Sequence, residues 1–356
     1  MADRYDEALD ELMHAEALAA EHRRVLELAR IHYLRGNIYF PLGKVDKCLT
    51  EHTAALQFAQ QAGSTEDEAR ALGGVGDAHY MGGRMLRAHA HFDRCVMLCH
   101  THGLGAIEVA YLPMRATTHM YCLRFGPALD DCRSVCDLVA RAGQLRGEII
   151  SRNISSQILL DQHELVRAEE DARKALELVA KIGARRFVQL FNDVLARVRL
   201  HAGDRAGAIE LLQESWVAAR ETSPTFAGPW VLGALALAST DPADRREALR
   251  EGQALLNRGC VAHNYFWFYR DAIEVSLIEG DWVAADAHAR ALMDYFSAES
   301  MPWAEFIVGR GRALAELGRR GLCDPVVVQL HALREEATRF GMRTELARIE
   351  AALASA

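Results

Sequence analysis

The sequence predicts an all-α protein built as an elongated solenoid of stacked helix pairs. Apolar residues recur with the helical period of about 3.6 residues from one end of the chain to the other, and the alternation typical of strands is nearly absent. Proline, which interrupts helices, accounts for only 8 of the 356 residues. Glycines that end predicted helices return at a fixed spacing, which is typical of repeat architectures.

The repeat period is 40 residues. It is read from the residues that follow a predicted helix, where glycine is favoured because it adopts the left-handed conformation of a helix C-cap. These positions, each 40 residues after the last, are Gly63, Gly103, Gly143 and Gly183, followed by Ser223 and His263. A small residue lies fifteen positions before each of them, in the order Cys48, Ala88, Ala128, Ala168, Ala208 and Ala248, and one step earlier stands Ala8.

Each period is predicted to contain two helices joined by a tight turn, with Gly43, Gly83, Gly203 and Gly280 in such turns. We therefore expect a single domain over residues 1–356. Its expected divisions are a half repeat at 1–23, repeats at about 24–63, 64–103, 104–143, 144–183, 184–223, 224–263, 264–300 and 301–341, and a closing helix at 342–356. Beyond residue 263 the register holds only if about three residues are left out.

Composition and charge exclude several classes of protein. The net charge of −8 and the isoelectric point near 6.0 argue against binding to nucleic acid or to an anionic membrane. No apolar run approaches the length of about 18 residues that a membrane span needs, and the acidic N-terminus lacks the apolar core of a signal peptide. Eight cysteines without a secretory leader indicate reduced thiols and a cytoplasmic protein.

The stretch "LRGNIYFPLGKVDKCLTEHTAAL" resembles the tetratricopeptide repeat, with Gly36 and Tyr39 matching the Gly-x-x-Tyr of its first helix. Ala88 and Phe92 supply the Ala-x-x-x-Phe of the second helix one repeat later. The period departs from the usual repeat of about 34 residues, the first-helix Trp is absent and glycine replaces the closing Pro. The resemblance implies a right-handed superhelix whose first helices line a concave, ligand-binding surface.

A narrower resemblance covers nearly the whole chain. Segments such as "HNYFWFYRDAIE" and "GDWVAADAHARAL" are similar to the C-terminal repeat region of bacterial class III adenylate cyclases. In that family a cyclase domain and an AAA-type ATPase module precede the repeats, and long repeats of this kind also resemble those of large signal-transduction ATPases. Because Ala8 falls at a second-helix position, the first predicted helix lacks a partner. We therefore expect either a fragment of a longer chain or a domain capped by another element.

The 40-residue register maps a candidate binding surface onto exposed first-helix positions. These residues are Arg30, Tyr33, Asn37, Arg70, Asp77, Tyr80, Asn153, Gln157, Asp193, Arg197, Arg270 and Glu274, and the aromatic run after residue 263 adds Trp267. Their charges alternate in sign, so the surface is not a simple basic clamp for a carboxylate terminus. The aromatic run is open to two interpretations, a bulky core between repeats or an aromatic wall for a ligand.

Two further patterns are better explained by packing than by chemistry. The stretch "ALGGVGDAHYMGGR" lacks the lysine of a phosphate-binding loop and the preceding strand of a dinucleotide site. Its Gly76 repeats Gly36 after 40 residues, which predicts close contact between helices. Histidines and cysteines crowd the region from His79 to Cys136, but neither a Cys-x-x-Cys pair nor a His-Glu-x-x-His run is present.

These observations predict a non-catalytic regulatory domain that binds a peptide, a protein partner or upstream domains of the same polypeptide. The prediction includes no cofactor, no metal, no nucleic acid and no membrane, and it leaves oligomerisation open. One alternative is a small-molecule sensor whose ligand inserts near Trp267, Tyr269 and Trp303. A weaker alternative is a metal-dependent enzyme.

Overall fold

A computed structural model describes residues 5–142, 144–321 and 323–354. Within these ranges the chain forms eighteen α-helices and one short 3₁₀ turn, and no strand is found there. The all-α prediction is confirmed. Of the helices described, none has the length and apolar character needed to cross a bilayer.

The helices follow one another with short connections. They are α1 (Tyr5–Glu21), α2 (Val25–Tyr39), α3 (Val45–Ala62), α4 (Thr65–Met81), α5 (Met85–His102), α6 (Gly105–Tyr121), α7 (Phe125–Ala142), α8 (Leu145–Asp161), α9 (Leu165–Ile182), α10 (Val188–His201), α11 (Arg205–Thr222), α12 (Pro224–Ala238), α13 (Pro242–Leu256), α14 (His263–Glu279), α15 (Trp282–Tyr295), α16 (Pro302–Arg320), α17 (Asp324–Phe340) and α18 (Arg343–Ala354). The 3₁₀ turn, Arg185–Phe187, precedes α10.

The predicted helix ends have the expected local chemistry. Gly63, Gly103 and Gly183 close α3, α5 and α9 with φ angles of 67°, 68° and 67°, which are left-handed values that favour glycine. Gly143, predicted to do the same, lies outside the described residues. At the N-termini, Asp204 and Asp281 accept the backbone N–H of the third residue along, at 3.0 and 2.9 Å.

Gly73, Gly74 and Gly76 of the glycine-rich stretch lie inside α4 and serve packing, as predicted. A Cβ added to Gly73 would lie 2.2 Å from the Tyr111 ring, and one added to Gly76 would lie 2.5 Å from the Phe92 ring. A Cβ on Gly74 would lie 2.2 Å from His52. Glycine therefore allows large side chains of neighbouring helices to lie directly on the α4 backbone.

The helices form two layers that wind into a superhelix. Each helix packs against the next one in the chain, and the even-numbered helices from α2 to α16 also pack against one another in succession. This continuous stack of even-numbered helices is called the inner layer below. Contacts between α6 and α16 and between α8 and α18 join helices that are ten elements apart, which shows that the superhelix closes a turn on itself. The α-solenoid prediction is confirmed.

Hydrogen bonds join the two sides where the superhelix closes. Tyr80 on α4 bonds to His263 on α14 at 2.7 Å, although 183 positions separate them in the chain. The indole N–H of Trp267 donates to the Tyr121 hydroxyl at 3.1 Å across 146 positions. The Glu299 carboxylate accepts the backbone N–H of Leu86 at 2.7 Å. These contacts are called the seam below, and they enclose the space inside the superhelix.

A candidate ligand-binding cavity

The inner layer surrounds a cavity of about 750 Å³. Every even-numbered helix from α2 to α14 contributes to its wall. Helix α1 covers one side of it with Tyr5, Ala8, Glu11 and Leu12. The cavity exists because the first helix of each pair faces the superhelix axis while the seam closes the far side.

One wall of the cavity is aromatic and firmly held. Trp230 and Trp267 stack with their ring centroids 4.9 Å apart and an angle of 9° between the planes. Both are nearly fully buried and both line the cavity. Trp267 is fixed further by its hydrogen bond to Tyr121. The guanidinium of Arg270 lies 4.8 Å from the Trp267 ring, close enough for a cation–π contact.

A second wall carries amide side chains whose polar atoms have no partner. Asn153 and Gln157 lie four residues apart on α8, so both project from the same helix face. Gln157 is only 1% exposed, and neither its amide nitrogen nor its amide oxygen has a hydrogen-bond partner among the described residues. The side-chain oxygen of Asn153 is unpartnered in the same way. Buried polar groups in proteins are usually hydrogen-bonded, so the unpartnered amide atoms of this pair are an exception on the cavity wall.

Asp77 places a carboxylate on the α4 side of the cavity. Within the described part of the chain it makes neither a hydrogen bond nor an ion pair. Burial raises the pKa of this carboxyl to about 7, and the positive charge of Arg146 on α8 lowers it in part. Near neutral pH the side chain is therefore about half protonated.

His263 is a structural group of the seam. Burial lowers its pKa to about 4, so the ring is neutral at pH 7. One ring nitrogen bonds to the carbonyl oxygen of Phe226, and the other bonds to the hydroxyl of Tyr80 at 2.7 Å. Because both nitrogens are engaged and the pKa is far from neutrality, this histidine fixes the wall and does not offer a proton donor or acceptor to the cavity.

Sequence comparison identifies residues 27–98 as tetratricopeptide repeat. The chain is an α-solenoid, and this segment of it matches the tetratricopeptide repeat. A solved Rap protein in complex with competence and sporulation factor has a similar fold over nearly the whole molecule. The TM-score is 0.66 at 11% identity, with 95% of this chain and 97% of that chain covered.

Two other solved structures are similar at lower scores. One is a Signal Transduction ATPase with Numerous Domains protein with a tetratricopeptide repeat sensor, from Pyrococcus horikoshii. Its TM-score is 0.49 at 12% identity, and the match covers 98% of this chain but only 55% of that one. The other is yeast Tom70, with a TM-score of 0.40 at 10% identity and coverage of 97% and 88%. No curated protein matches the solenoid in sequence.

The solenoid brings together part of the binding surface that the register indicates. The residues of that set which line the cavity are Asn37, Asp77, Tyr80, Asn153, Gln157 and Trp267. The predicted exposure is wrong for Tyr80, Asn153 and Gln157, which are all less than 9% exposed. Trp267, for which core and wall were both open, is buried and also lines the cavity. These positions are buried in the wall of a cavity that is partly open to solvent.

Three predicted residues near the N-terminus of the solenoid lie away from the cavity and have partners of their own. Arg30 pairs with Asp67 at 3.2 Å, and Arg70 pairs with Glu66 at 2.6 Å. The hydroxyl of Tyr33 bonds to the hydroxyl of Tyr111 at 3.0 Å. The Arg30 and Tyr33 contacts join α2 to α4 and α6, whereas the Arg70–Glu66 pair lies within α4.

Four predicted residues belong to a buried set of ion pairs that is called the charge network below. The predicted exposure is wrong for all four, namely Asp193, Arg197, Arg270 and Glu274. Arg197 pairs with Asp193 at 3.0 Å and with Asp271 at 2.7 Å. The other members, Arg270, Glu274, Arg310, Glu345 and Arg348, are linked by ion pairs of up to 3.6 Å. These side chains face α16 and α18, which the winding of the superhelix brings over them.

The sequence reasoning missed several wall residues, although the same register contains them. Counting on in steps of 40 from Arg30 and Arg70 gives Ala110, Ile150, Leu190 and Trp230, all of which line the cavity. Tyr111 and Phe226 also line the cavity and were not predicted. Of the residues proposed for a small-molecule site, Tyr269 and Trp303 are not on the cavity wall.

The histidine- and cysteine-rich region contains no metal-binding arrangement among the residues described. No group of three or more His, Cys, Asp or Glu side chains is placed to hold an ion there. His79 stacks on His91 with ring centroids 5.3 Å apart, and burial lowers the pKa of His79 to about 4. All eight cysteines are free, and burial raises the pKa of Cys48 and Cys132, which keeps those thiols protonated.

Proposed function

We propose that this solenoid is a non-catalytic regulatory sensor that binds a short, extended peptide segment inside its cavity. The observation that carries the proposal is the unpartnered amide pair of Asn153 and Gln157 on the cavity wall. A primary amide both donates and accepts hydrogen bonds, as a peptide group does, so it can pair with the backbone of an extended ligand.

The size of the cavity limits what can enter. Its volume of about 750 Å³ lies within the range of roughly 300–1,000 Å³ found for sites that enclose small ligands. A short peptide fits that range, whereas a folded partner domain does not. The similar Rap structure is a complex with competence and sporulation factor, which supports a role in effector binding.

The seam suggests how binding would be transmitted. A ligand held by α8 and in contact with Trp267 on α14 would touch both sides of the closed superhelix. It would therefore stabilise the closed state and act on the packing of α16 and α18, which lie behind α14 and α8. We extend the proposal to a cytoplasmic signalling protein in which this change is coupled to an ATPase or adenylate cyclase module.

The test is retention of peptides by the purified solenoid. The protein is mixed with a pool of random pentapeptides, passed through a desalting column and analysed for co-eluting peptides by mass spectrometry. Retained peptides are resynthesised and are expected to raise the melting temperature of the wild type, because a ligand at 100 times its Kd contributes about 2.7 kcal/mol. The rise is expected to be lost in Gln157→Ala and kept in Gln61→Ala, where the amide is exposed.

A solenoid that retains no peptide would contradict this function. Hydrolysis of ATP by the purified solenoid would contradict the non-catalytic part of the proposal.

A second candidate function is sensing of a flat aromatic molecule, which the stacked Trp230–Trp267 wall favours. Such a ligand would quench tryptophan fluorescence and raise the melting temperature in the absence of any peptide. The effect should disappear in Trp267→Ala and persist in Trp282→Ala, since Trp282 lies on α15 and is not on the wall.

A further inference from the structure

We propose that Asp77 is the receptor for a cationic group of the ligand, either a free amino terminus or a Lys or Arg side chain. This inference rests on the proposed function, because it assigns the ligand chemistry of the same cavity. The inference predicts that the cavity selects ligands with a cationic group. A cavity that recognised only the peptide backbone and apolar side chains would show no such selectivity.

The first argument is geometric. Asp77 projects from α4 into the cavity between two tyrosines whose hydroxyls are already engaged. The Tyr80 hydroxyl is bonded to His263 at 2.7 Å, and the Tyr111 hydroxyl is bonded to Tyr33 at 3.0 Å. No described side chain donates to Asp77, so its carboxylate oxygens are open to a ligand.

The second argument concerns charge. Glu11 and Arg186 also line the cavity, and the groups that interact electrostatically with Asp77 come from five helices. They are Cys48 on α3, Tyr80 on α4, Cys95 on α5, Tyr111 on α6 and Arg146 on α8. Burial or a neighbouring thiol raises the pKa of each of these thiols and phenols. They are therefore neutral at pH 7, and Arg146 is the one cation among them.

Arg146 does not neutralise the carboxylate. It makes no ion pair with Asp77, and its guanidinium lies 6.0 Å from the Phe187 ring on an exposed part of the wall. Burial therefore raises the pKa of Asp77 to about 7, and the charge of Arg146 offsets only part of that rise. A ligand ammonium or guanidinium would form a charge-assisted hydrogen bond there and restore the ionised form.

The test compares three defined pools of pentapeptides that all lack histidine. The first pool has free amino termini and no Lys or Arg. The second has acetylated amino termini and contains Lys and Arg, and the third is acetylated and lacks both. We expect the wild type to retain peptides from the first pool, the second pool or both, and to retain none from the third. Retention of the first pool indicates recognition of a terminal amine, and retention of the second indicates recognition of a side-chain cation.

Two variants with opposite charge changes sharpen the result. Asp77→Asn is expected to bind the resynthesised cationic peptides at least tenfold more weakly, whereas Arg146→Gln, which removes a repulsive charge, is expected to bind them at least as tightly as the wild type. A melting temperature of Asp77→Asn at pH 8 that equals or exceeds the wild-type value shows that this variant is folded.

The affinity should also depend on pH with a definite sign. Binding requires ionised Asp77, and the group takes up a proton below about pH 7 in the free protein. Affinity for an acetylated peptide with Lys or Arg, whose cation stays charged over this range, is therefore expected to fall about 30-fold between pH 8 and pH 5.5 in the wild type and to stay nearly constant in Asp77→Asn.

The outcomes distinguish this inference from the function on which it rests. Retention of the third pool as strongly as the others, or unchanged affinity in Asp77→Asn, would overturn the cationic assignment and leave peptide binding intact. Retention of no pool at all would overturn the proposed function together with the assignment.

Discussion

One register position shows how differently the two ends of the inner layer are used. In steps of 40 residues it is occupied by Asn37, Asp77, Thr117 and Gln157, all of which line the cavity. The next step is Arg197, which is buried in ion pairs with Asp193 and Asp271. The repeat therefore sets where a residue lies on its helix, but the winding of the superhelix decides whether it faces a cavity or another helix.

The two regions also differ in how their polar groups are satisfied. In the cavity region, Asp77 and Gln157 have no partner among the described residues. In the charge network every member has an opposite charge nearby, and Glu345, with 0% exposure, faces three arginines. We infer that the network maintains the fold and that the cavity region is available to a ligand. The predictions below test this difference.

The largest effect is expected in the charge network. Asp271→Asn removes the charge that accepts two N–H groups of Arg197 at 3.1 and 2.7 Å, and it leaves a buried guanidinium with only Asp193 as its acidic partner. Breaking a buried pair in this way costs about 3 to 5 kcal/mol. The free energy of unfolding, measured in urea at pH 7, should fall by about 3 kcal/mol.

Asp77→Asn is the matched control, because it makes the same substitution in the cavity region. It should lose no stability at pH 7, since it removes a buried carboxylate that has no partner. Equal losses in the two variants would show that the two regions do not differ as inferred.

The second effect concerns His52, which packs between Gly36 and Gly74 beside the cavity region with neither ring nitrogen bonded. Burial lowers its pKa to about 4 from the ordinary 6.5. Below about pH 6.5 the unfolded chain binds a proton on His52 that the native state excludes. The contribution of His52 to stability is therefore complete above about pH 6.5 and is lost as the pH falls from there through 4.

The measurement compares the wild type with His52→Leu at pH 7 and pH 4.5. On acidification the wild type should lose about 2 to 3 kcal/mol more than the variant, and the contributions of all other groups cancel in this difference. Parallel losses in the two proteins would mean that His52 finds a partner or reaches solvent in the native state.

The sequence was sufficient to predict the fold because its signals are local. Glycines that end helices, such as Gly63 and Gly103, recur every 40 residues, and so do the small residues of the second helices. This period can be read from the sequence without knowing any contact between distant parts of the chain. The site was predicted only in part. Asp271, one of the two partners of Arg197, lies 74 positions away, and the partner of Tyr80 lies 183 positions away. No periodicity within a helix contains this information.

Trp230 was missed for a different reason. It occupies the register position of Arg30 and Arg70, but the candidate binding residues at these positions were chosen mainly for polar side chains, and Trp230 was not among them. In a closed superhelix the inner helices supply both polar and aromatic wall residues. The register alone, without regard to polarity, would have found it.

The smallest effect on stability is expected for a substitution of Gln157, the most buried amide side chain on the cavity wall. Gln157→Leu should change the free energy of unfolding by less than about 0.5 kcal/mol, because the amide makes no hydrogen bond that the substitution can break. Asn264→Leu is the contrast, since the Asn264 amide donates to the carbonyl oxygens of Val261 and Phe226 and accepts from the backbone N–H of Trp230. That variant should lose about 2 kcal/mol or more, since it leaves buried backbone groups unpaired. Urea unfolding of both variants measures the difference, and a large loss in Gln157→Leu would mean that its amide has a partner in the ligand-free protein and is not held open for a peptide.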